Sequence, residues 1–264
     1  MRRIHAFEFN DLSWLPENLR NYATDFLQFV ANAFDMYRCV IPILETGIRS
    51  SGNDTIIDIG SGGGGGLVKI AEHLKKSISD IKIILSDCYP NIDAFKKTKA
   101  QHASVFEYAE GSINAMDIPH YLTGFRTHFL SFHHFRSKDA KAILQNAVDR
   151  NQPIGIFEAQ QRNIKNLVQR MLSPIALLLM TPFIKPFKVD RIIFTYLVPV
   201  LPLLILWDGV ISVLRAYTVP ELKQIISEVR YHERFCWQVD IVEAKSGHIL
   251  YLLGIPESNR LPTR

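Results

Sequence analysis

The chain has 264 residues and a formal net charge of +4, with 30 Lys and Arg residues against 26 Asp and Glu residues. This length fits one large domain or a core with a cap, and the spread of the basic residues along the chain excludes the charge pattern of a nucleic-acid binder. Three cysteines without paired spacing favour a reducing compartment, and no apolar signal run is visible at the N-terminus, so we expect a cytoplasmic protein.

Residues 1–50 are predicted to form a helical lid. Aromatic and aliphatic residues recur between Phe7 and Gly47 at spacings of three and four, which is typical of amphipathic helices. These helices either lie beside a ligand cleft or pack as ordinary core against the edge of a sheet. In the first case, Trp14 and Tyr22 are candidate substrate contacts.

A strand that runs into a glycine cluster is the most informative pattern in the chain. Thr55–Ile59 is predicted as a buried strand, and six of the seven residues 60–66 are glycine. Glycine adopts positive φ readily and lets the backbone approach a ligand, so this turn before a helix at Leu67–Lys75 predicts a nucleotide-like ligand. No Lys-Ser or Lys-Thr follows the glycines, which argues against a phosphate-binding loop of the nucleoside triphosphatase type.

Further strands follow the glycine turn in chain order. Ile81–Asp87 is predicted as a second strand, and its terminal acid suits a ribose with free hydroxyls. Thr127–Phe135 is predicted as the fourth strand with its exit loop, and Gln152–Glu158 as the fifth strand. Near the C-terminus, two alternating strands at Phe235–Glu243 and His248–Ile255 are predicted to pair across a hairpin turn that begins at Lys245.

These patterns together resemble the class I S-adenosylmethionine-dependent methyltransferases of the small-molecule type. The first motif of that family is hydrophobic, acidic, hydrophobic, Gly, x, Gly, and Ile57-Asp-Ile-Gly-Ser-Gly matches it. The resemblance covers Thr55–Glu158 and Pro220–Pro256, about half of the chain. It implies an α/β fold with a Rossmann-like, seven-stranded, mostly parallel sheet and an antiparallel C-terminal hairpin. The core would comprise residues 51–158 and 219–264.

The resemblance also implies S-adenosylmethionine as the cofactor. In the segment Tyr108–Pro119, Ser112 stands where the family normally has Asp, so the adenine contact stays open among Ser112, Ile113 and Asn114. The residues implied in cofactor binding are Asp58, Gly60, Ser61, Gly62, Gly63, Asp87, Cys88, Ser112, Ile113, Asn114 and Leu130.

Candidate catalytic residues lie at the ends of the fourth and fifth strands. His133 or His134 would be the general base if the acceptor's nucleophile is protonated, because imidazole titrates near neutral pH, and Glu158 is the second choice. Paired histidines could also suggest a metal. We expect none, because adjacent side chains on a strand point to opposite faces and no further ligands accompany them at the usual spacing.

Residues 159–218 are predicted to form an apolar helical cap between the fifth strand and a helix at Val219–Val229. Prolines divide this segment, and its longest uncharged run, Ile192–Trp207, is 16 residues, shorter than the roughly 20 that a membrane-spanning helix needs. The apolar surface could pack on the core, bind an apolar substrate or rest against a membrane. Asp208 and Arg215 would share a helix face, either as a structural ion pair or as substrate contacts.

The sequence therefore predicts methyl transfer to a small, apolar, aromatic or lipid-like acceptor through oxygen, nitrogen or carbon. One alternative is a protein of the same fold that binds or scaffolds, at a membrane for example, without catalysis. Another is a nicotinamide-dependent oxidoreductase, because Gly60, Gly62 and Gly65 also satisfy Gly-x-Gly-x-x-Gly. The sequence does not fix the acceptor or the oligomeric state.

Overall fold

A seven-stranded sheet forms the centre of the computed structural model, which describes residues 1–244 and 247–259. Its order is β3-β2-β1-β4-β5-β7-β6; β1 to β5 are parallel, and β7 is antiparallel to β5 and β6. The strands are β1 Thr55–Ile59, β2 Lys82–Ser86, β3 Phe106–Tyr108, β4 Phe125–Phe129, β5 Ile154–Glu158, β6 Phe235–Ala244 and β7 Gly247–Pro256. The predicted fold class is confirmed. Lys245 and Ser246 of the predicted hairpin turn lie outside the described residues.

Helices cover both faces of the sheet and form the cap. The α-helices are α1 Glu17–Ala33, α2 Ile41–Ser51, α3 Leu67–Leu74, α4 Ile92–Gln101, α5 Ser137–Asp149, α6 Ile164–Met171, α7 Ser173–Met180, α8 Val189–Ile192, α9 Val200–Arg215 and α10 Val219–Ser227. A π-helical turn, Ile193–Leu197, follows α8, and single 3-10 turns include Phe9–Asp11 and Phe132–His134.

Alternation along the central strand explains why helices are needed on both faces. Ile56 packs in one core cluster with α2 and α3, whereas its neighbour Ile57 packs in a second cluster with α5 and α10. Successive strand side chains point to opposite faces, so a strand that is apolar at every position must be covered twice. The carboxyl ends of the parallel strands then meet at one edge, where the site forms.

The cap is helical, as predicted, and its prolines mark the helix starts. Pro174 lies in the first turn of α7 and Pro199 immediately precedes α9, which is where the missing amide hydrogen costs least. One side of the cap packs on α1 in a third apolar cluster that includes Phe26, Leu177 and Leu204.

Helix length in the cap also bears on membrane contact. Within the described residues, no single helix is long and apolar enough to cross a membrane. Val189–Leu197 and Val200–Arg215 are long and apolar enough only when taken together, and the two are bent by 76° relative to each other.

Candidate functional site

A cavity of roughly 1330 Å³ opens at the carboxyl ends of β1, β2, β4 and β5. Its walls come from the glycine turn, the N-terminal segment with α1, and the inner side of the cap. A pocket for one small molecule usually measures about 300–1,000 Å³. This cavity therefore has room for two ligands, which is what a group transfer between two small molecules requires.

The turn after β1 contains four glycines with positive φ, and two of them show why the turn needs glycine. Gly60 has φ +74° and Gly62 has φ +54°. A Cβ atom at Gly60 would lie 2.9 Å from the Cβ of Ser131, and one at Gly62 would lie 3.2 Å from Cγ2 of Thr24. Both the backbone conformation and the available space therefore require glycine here.

Asp87, just after β2, is fixed against this turn. Its Oδ2 accepts a hydrogen bond of 2.7 Å from the Gly62 amide, and its Oδ1 accepts one of 2.8 Å from the Tyr89 amide. A carboxylate has about four acceptor positions, so capacity remains on the cavity side for two hydroxyl groups. The geometry fits the ribose role predicted for Asp87.

Asp58 lies beneath the turn rather than on the cavity wall. Its Oδ2 accepts from the Ser61 hydroxyl at 2.7 Å and its Oδ1 from the Thr127 hydroxyl at 2.8 Å. Burial raises the pKa of Asp58 to about 7, although these two hydrogen bonds oppose the shift. The residue thus joins the turn to β4, and it would act on a ligand only through Ser61.

The other residues implied in cofactor binding do come together on the wall. The Ile113 amide donates to the Asp87 carbonyl at 2.9 Å, and the Ser112 hydroxyl donates to the Cys88 carbonyl at 2.8 Å. These bonds hold the segment after β3 against the end of β2. The wall residues from that prediction are Gly60, Ser61, Gly62, Gly63, Asp87, Cys88, Ser112, Ile113, Asn114 and Leu130.

The paired histidines are not on a strand, which corrects the argument made from sequence. His133 and His134 lie in the 3-10 turn that follows β4, with ring centroids 4.3 Å apart and ring planes 34° apart. A strand would have placed them on opposite faces, but the tight turn brings both to the cavity wall. The first reason for expecting no metal, that the two side chains point to opposite faces, is therefore wrong.

Glu158, at the end of β5, holds this turn from below. Its Oε1 accepts from the amides of Phe132 at 2.8 Å and His133 at 3.2 Å, and its Oε2 lies 2.9 Å from Nδ1 of His133. Burial alone would raise the pKa of Glu158, but its contacts with His133 hold the pKa below its usual value. Glu158 is therefore ionised and orients His133. It does not line the cavity, so it is not in position to act as a base on a ligand there.

His134 carries a different charge state from that expected of a base. Its Nδ1 lies 2.6 Å from Oδ1 of Asp11. Burial would lower the pKa of His134, but Glu8 and Asp11 raise it to about 9. Without another cation bound nearby, His134 is thus protonated at neutral pH, which leaves His133 as the better candidate base.

Two acids of the N-terminal segment complete this cluster, and neither was selected from sequence. Glu8 is buried, with Oε1 3.7 Å from Nε2 of His133 and Oε2 3.8 Å from Nε2 of His134. Arg215 donates from Nη1 to Glu8 at 3.1 Å and to Asp11 at 2.6 Å. The only local signal was an acid between two phenylalanines, Phe7-Glu8-Phe9.

Asp208 and Arg215 share a face of α9 and line the cavity, but they do not form the predicted ion pair. Asp208 instead accepts three hydrogen bonds from the N-terminal segment: the amides of Phe9 at 2.7 Å and Asn10 at 3.1 Å, and the Asn10 side chain at 2.8 Å. Arg215 also donates to the Ala6 carbonyl at 2.7 Å. Both side chains therefore fasten the N-terminal segment to the cap.

The two aromatic substrate contacts predicted in α1 and before it lie away from the cavity wall. Trp14 is 67% exposed and packs edge-on against Phe9. Tyr22 is buried and donates to Asp190 of the cap. The face of α1 that does line the cavity carries Thr24, which is on the opposite side of the helix from Tyr22.

Gln160, just beyond β5, is a further polar wall residue that sequence reasoning missed. It is buried, and its Oε1 accepts from the Ser212 hydroxyl at 2.9 Å. Within the described part of the chain its buried Nε2 has no hydrogen-bond partner. A buried amide without a partner is costly, so this donor is suited to a ligand oxygen.

Known proteins share the fold. An O-methyltransferase family protein from Burkholderia thailandensis aligns with TM-score 0.50 and 13% identity over 90% of this chain and 59% of its own, so this chain spans less than two thirds of that protein. A SAM-dependent methyltransferase from Aquifex aeolicus aligns with TM-score 0.52 and 12% identity over 89% and 98% of the two chains. The plantazolicin methyltransferase BamL, solved with a triazolic desmethylPZN analog and SAH, aligns with TM-score 0.50 and 14% identity over 92% and 98%.

A scan against protein-family models and a search of the curated proteins return no match. The structural likeness at these low identities shows the fold, which is that of the class I methyltransferases. The fold implied by the sequence resemblance is thereby confirmed.

Proposed function

We propose that this chain transfers a methyl group from S-adenosylmethionine to a small acceptor with a largely apolar body. The observation that carries the proposal is Asp87, fixed by the Gly62 amide on the wall of a cavity large enough for two ligands. Bound there, S-adenosylmethionine would supply an activated methyl group on a sulfonium, which is an excellent leaving group. Positioning and exclusion of water then contribute most of the catalysis.

The cofactor half of the cavity is built for an adenosyl group. Asp87 presents its carboxylate to the ribose hydroxyls, and the glycine turn allows close approach of the backbone at Gly60 and Gly62. Ser112, Ile113 and Asn114 lie on the same wall and are suited to the adenine ring. An acid at the Asp87 position favours a free ribose over a phosphorylated one.

The acceptor half combines a polar floor with apolar walls. His133 and His134 form the floor, and Val30, Met180 and Ile205 are among the apolar wall residues. Apolar walls penalise unpaired polar groups, so the body of the acceptor should be apolar while its nucleophilic end reaches the floor. His133, oriented by Glu158, is placed to take a proton from that end.

The outer face of the cap supports a peripheral membrane contact. Large apolar side chains there are exposed, and Leu197 reaches 75%. Lys185 is exposed between Phe183 and Phe187, an arrangement suited to the headgroup region of a bilayer. The opposite face of α9 is buried in the protein, so the cap would lie on the bilayer and not cross it. Other exposed apolar residues of the cap, counted here with its outer face, are Leu179, Val189 and Leu203.

Calorimetry combined with a methyl-transfer assay tests this function. We expect adenosylhomocysteine to bind and NAD not to bind, and methyl transfer to favour lipid-soluble phenols or hydroxylated lipids over polar acceptors. NAD binding would support an oxidoreductase. Tight adenosylhomocysteine binding without transfer to any acceptor in a broad panel would support a non-catalytic protein of this fold.

A further inference from the structure

We propose that Glu8, His133 and His134 bind a divalent transition-metal ion on the cavity floor. Its chemical role, which rests on the proposed methyl transfer, is to hold and activate an acceptor oxygen. One ligand atom from each of the three side chains lies within 4.8 Å of the others. All three residues line the cavity, so an ion among them would also be open to a small molecule.

The distances within this cluster suit coordination better than hydrogen bonding. The two oxygens of Glu8 lie 3.7 Å and 3.8 Å from Nε2 of His133 and His134, which is beyond hydrogen-bond length. Zinc bonds to nitrogen and oxygen measure about 2.0–2.2 Å, which sets neighbouring ligand atoms about 3.4 Å apart in a tetrahedral site. The widest separation among the three ligand atoms is at most 4.8 Å, so side-chain movements of about 1 Å would close the site.

The outer contacts of both histidines are those of metal ligands. Nδ1 of His133 lies 2.9 Å from Glu158, and Nδ1 of His134 lies 2.6 Å from Asp11. Histidines that ligate a metal usually donate their second ring N–H to a carboxylate, which fixes the ring and its tautomer. Here both Nδ1 atoms are occupied in this way and both Nε2 atoms face Glu8.

The carboxylates of the cluster also favour a bound cation. Glu8, Asp11 and Glu158 are carboxylates in contact with the histidines, whereas Arg215 is the guanidinium group that binds this cluster at Glu8 and Asp11. A second guanidinium, that of Arg3, donates to the His133 carbonyl at 3.3 Å. Carboxylates still outnumber guanidinium groups around the two rings. A bound cation would offset this excess, and the rival occupants are protons on the two imidazole rings.

Two histidines and one carboxylate with an open position form a donor set typical of catalytic zinc and non-haem iron sites. The open position faces the cavity, where an acceptor hydroxyl could bind. With the ion bound, His133 is a ligand and no longer the base, so the hydroxyl would release its proton to solvent. The oxygen then forms a bond to the methyl carbon as the carbon–sulfur bond breaks. The electron pair of that broken bond returns to sulfur and leaves adenosylhomocysteine. The inferred acceptor is therefore an alcohol or phenol.

Metal analysis of the purified chain tests the site. After equilibration with zinc and removal of free metal, we expect one zinc ion per chain in the wild type and at least a tenfold weaker affinity in Glu8→Gln and His134→Gln. His73→Gln is the matched control, because His73 also pairs with a carboxylate, Asp35, but outside the cluster. It should bind zinc as the wild type does.

Cobalt substitution adds a measurement that needs no variant. Cobalt(II) in the wild-type chain should give the visible absorption of a tetrahedral or five-coordinate site, and a bound phenol should shift it. The inference is overturned if the wild type binds no stoichiometric zinc, or if Glu8→Gln and His134→Gln, folded by circular dichroism, bind it equally well. Adenosylhomocysteine binding is measured separately, so loss of the metal site and failure of the proposed function remain distinguishable.

Discussion

Asp87 is held in place by backbone amides before any ligand binds, so its carboxylate is preorganised. If it accepts hydrogen bonds from a ribose, Asp87→Ala should weaken S-adenosylmethionine binding by about 1.5 to 3 kcal/mol, or roughly 10- to 150-fold. Isothermal calorimetry measures the change. Asp240→Ala, which removes an exposed carboxylate from β6, is the control and should leave the affinity unchanged. Unaltered affinity in a folded Asp87→Ala chain would exclude the ribose role.

Asp58 links the glycine turn to the pH dependence of stability. Its pKa is raised by burial to about 7, against about 3.9 in an unfolded chain, so the folded state binds more protons between these values. The free energy of unfolding should therefore fall as pH rises from about 4 to about 7, by an amount on the order of 4 kcal/mol.

Asp58→Asn should remove this contribution, because the amide does not ionise. Urea unfolding at several pH values compares the variant with the wild type and with Asp240→Asn. Equal slopes in all three chains between pH 4 and 7 would contradict the raised pKa.

At the scale of elements, the cap packs on α1 through one apolar cluster and also exposes large apolar side chains to solvent, the outer face defined above. If that outer face rests on a bilayer, the wild type should co-sediment with liposomes with little dependence on salt, because apolar burial drives the contact. Phe183→Glu combined with Leu197→Glu should reduce liposome binding at least tenfold. Ile241→Glu, at an exposed apolar position on β6, is the matched control. Equal binding by all three chains, or none by the wild type, would argue against this contact.

Elements with local patterns were predictable from sequence, and contacts between distant segments were not. The strand and glycine turn at residues 55–66 follow from backbone sterics within a dozen residues. The 3-10 turn at His133 and His134 depends on Glu158, which binds the amides of that turn from a neighbouring strand. Local sequence patterns therefore predicted that the strand continues through the two histidines and that their side chains point to opposite faces.

The same limit applies to the cap. That Asp208 and Arg215 share a face follows from helical spacing, but their partners come from residues 6–11, about 200 positions earlier. Helical spacing therefore suggested an ion pair between Asp208 and Arg215, whereas both side chains bind the N-terminal segment. Glu8 and Asp11 were not predicted as site residues, because their partners are distant in sequence and only the fold brings them together.

For the molecule as a whole, the proposed function divides the cavity into a cofactor half built from the sheet and an acceptor half completed by the N-terminal segment. Deletion of residues 2–11 should leave adenosylhomocysteine affinity within a few-fold of the wild type, because Asp87 and the glycine turn remain. Methyl transfer should be lost, since Glu8 and Asp11 are removed from the floor. Calorimetry and a transfer assay on the same preparation measure both. Full transfer activity in the shortened chain would show that the N-terminal segment is dispensable.

The attachment of the N-terminal segment to α9 has a consequence for how the protein matures. Glu8 meets its partners at positions 133 and 215, so each of these contacts closes a loop of more than one hundred residues. Contacts between such distant positions carry a large loop-closure entropy and tend to form slowly. The side of the cavity formed by the glycine turn and Asp87 can therefore assemble before the floor. If the proposed function holds, a newly made chain should acquire the ability to bind adenosylhomocysteine earlier than the ability to transfer a methyl group.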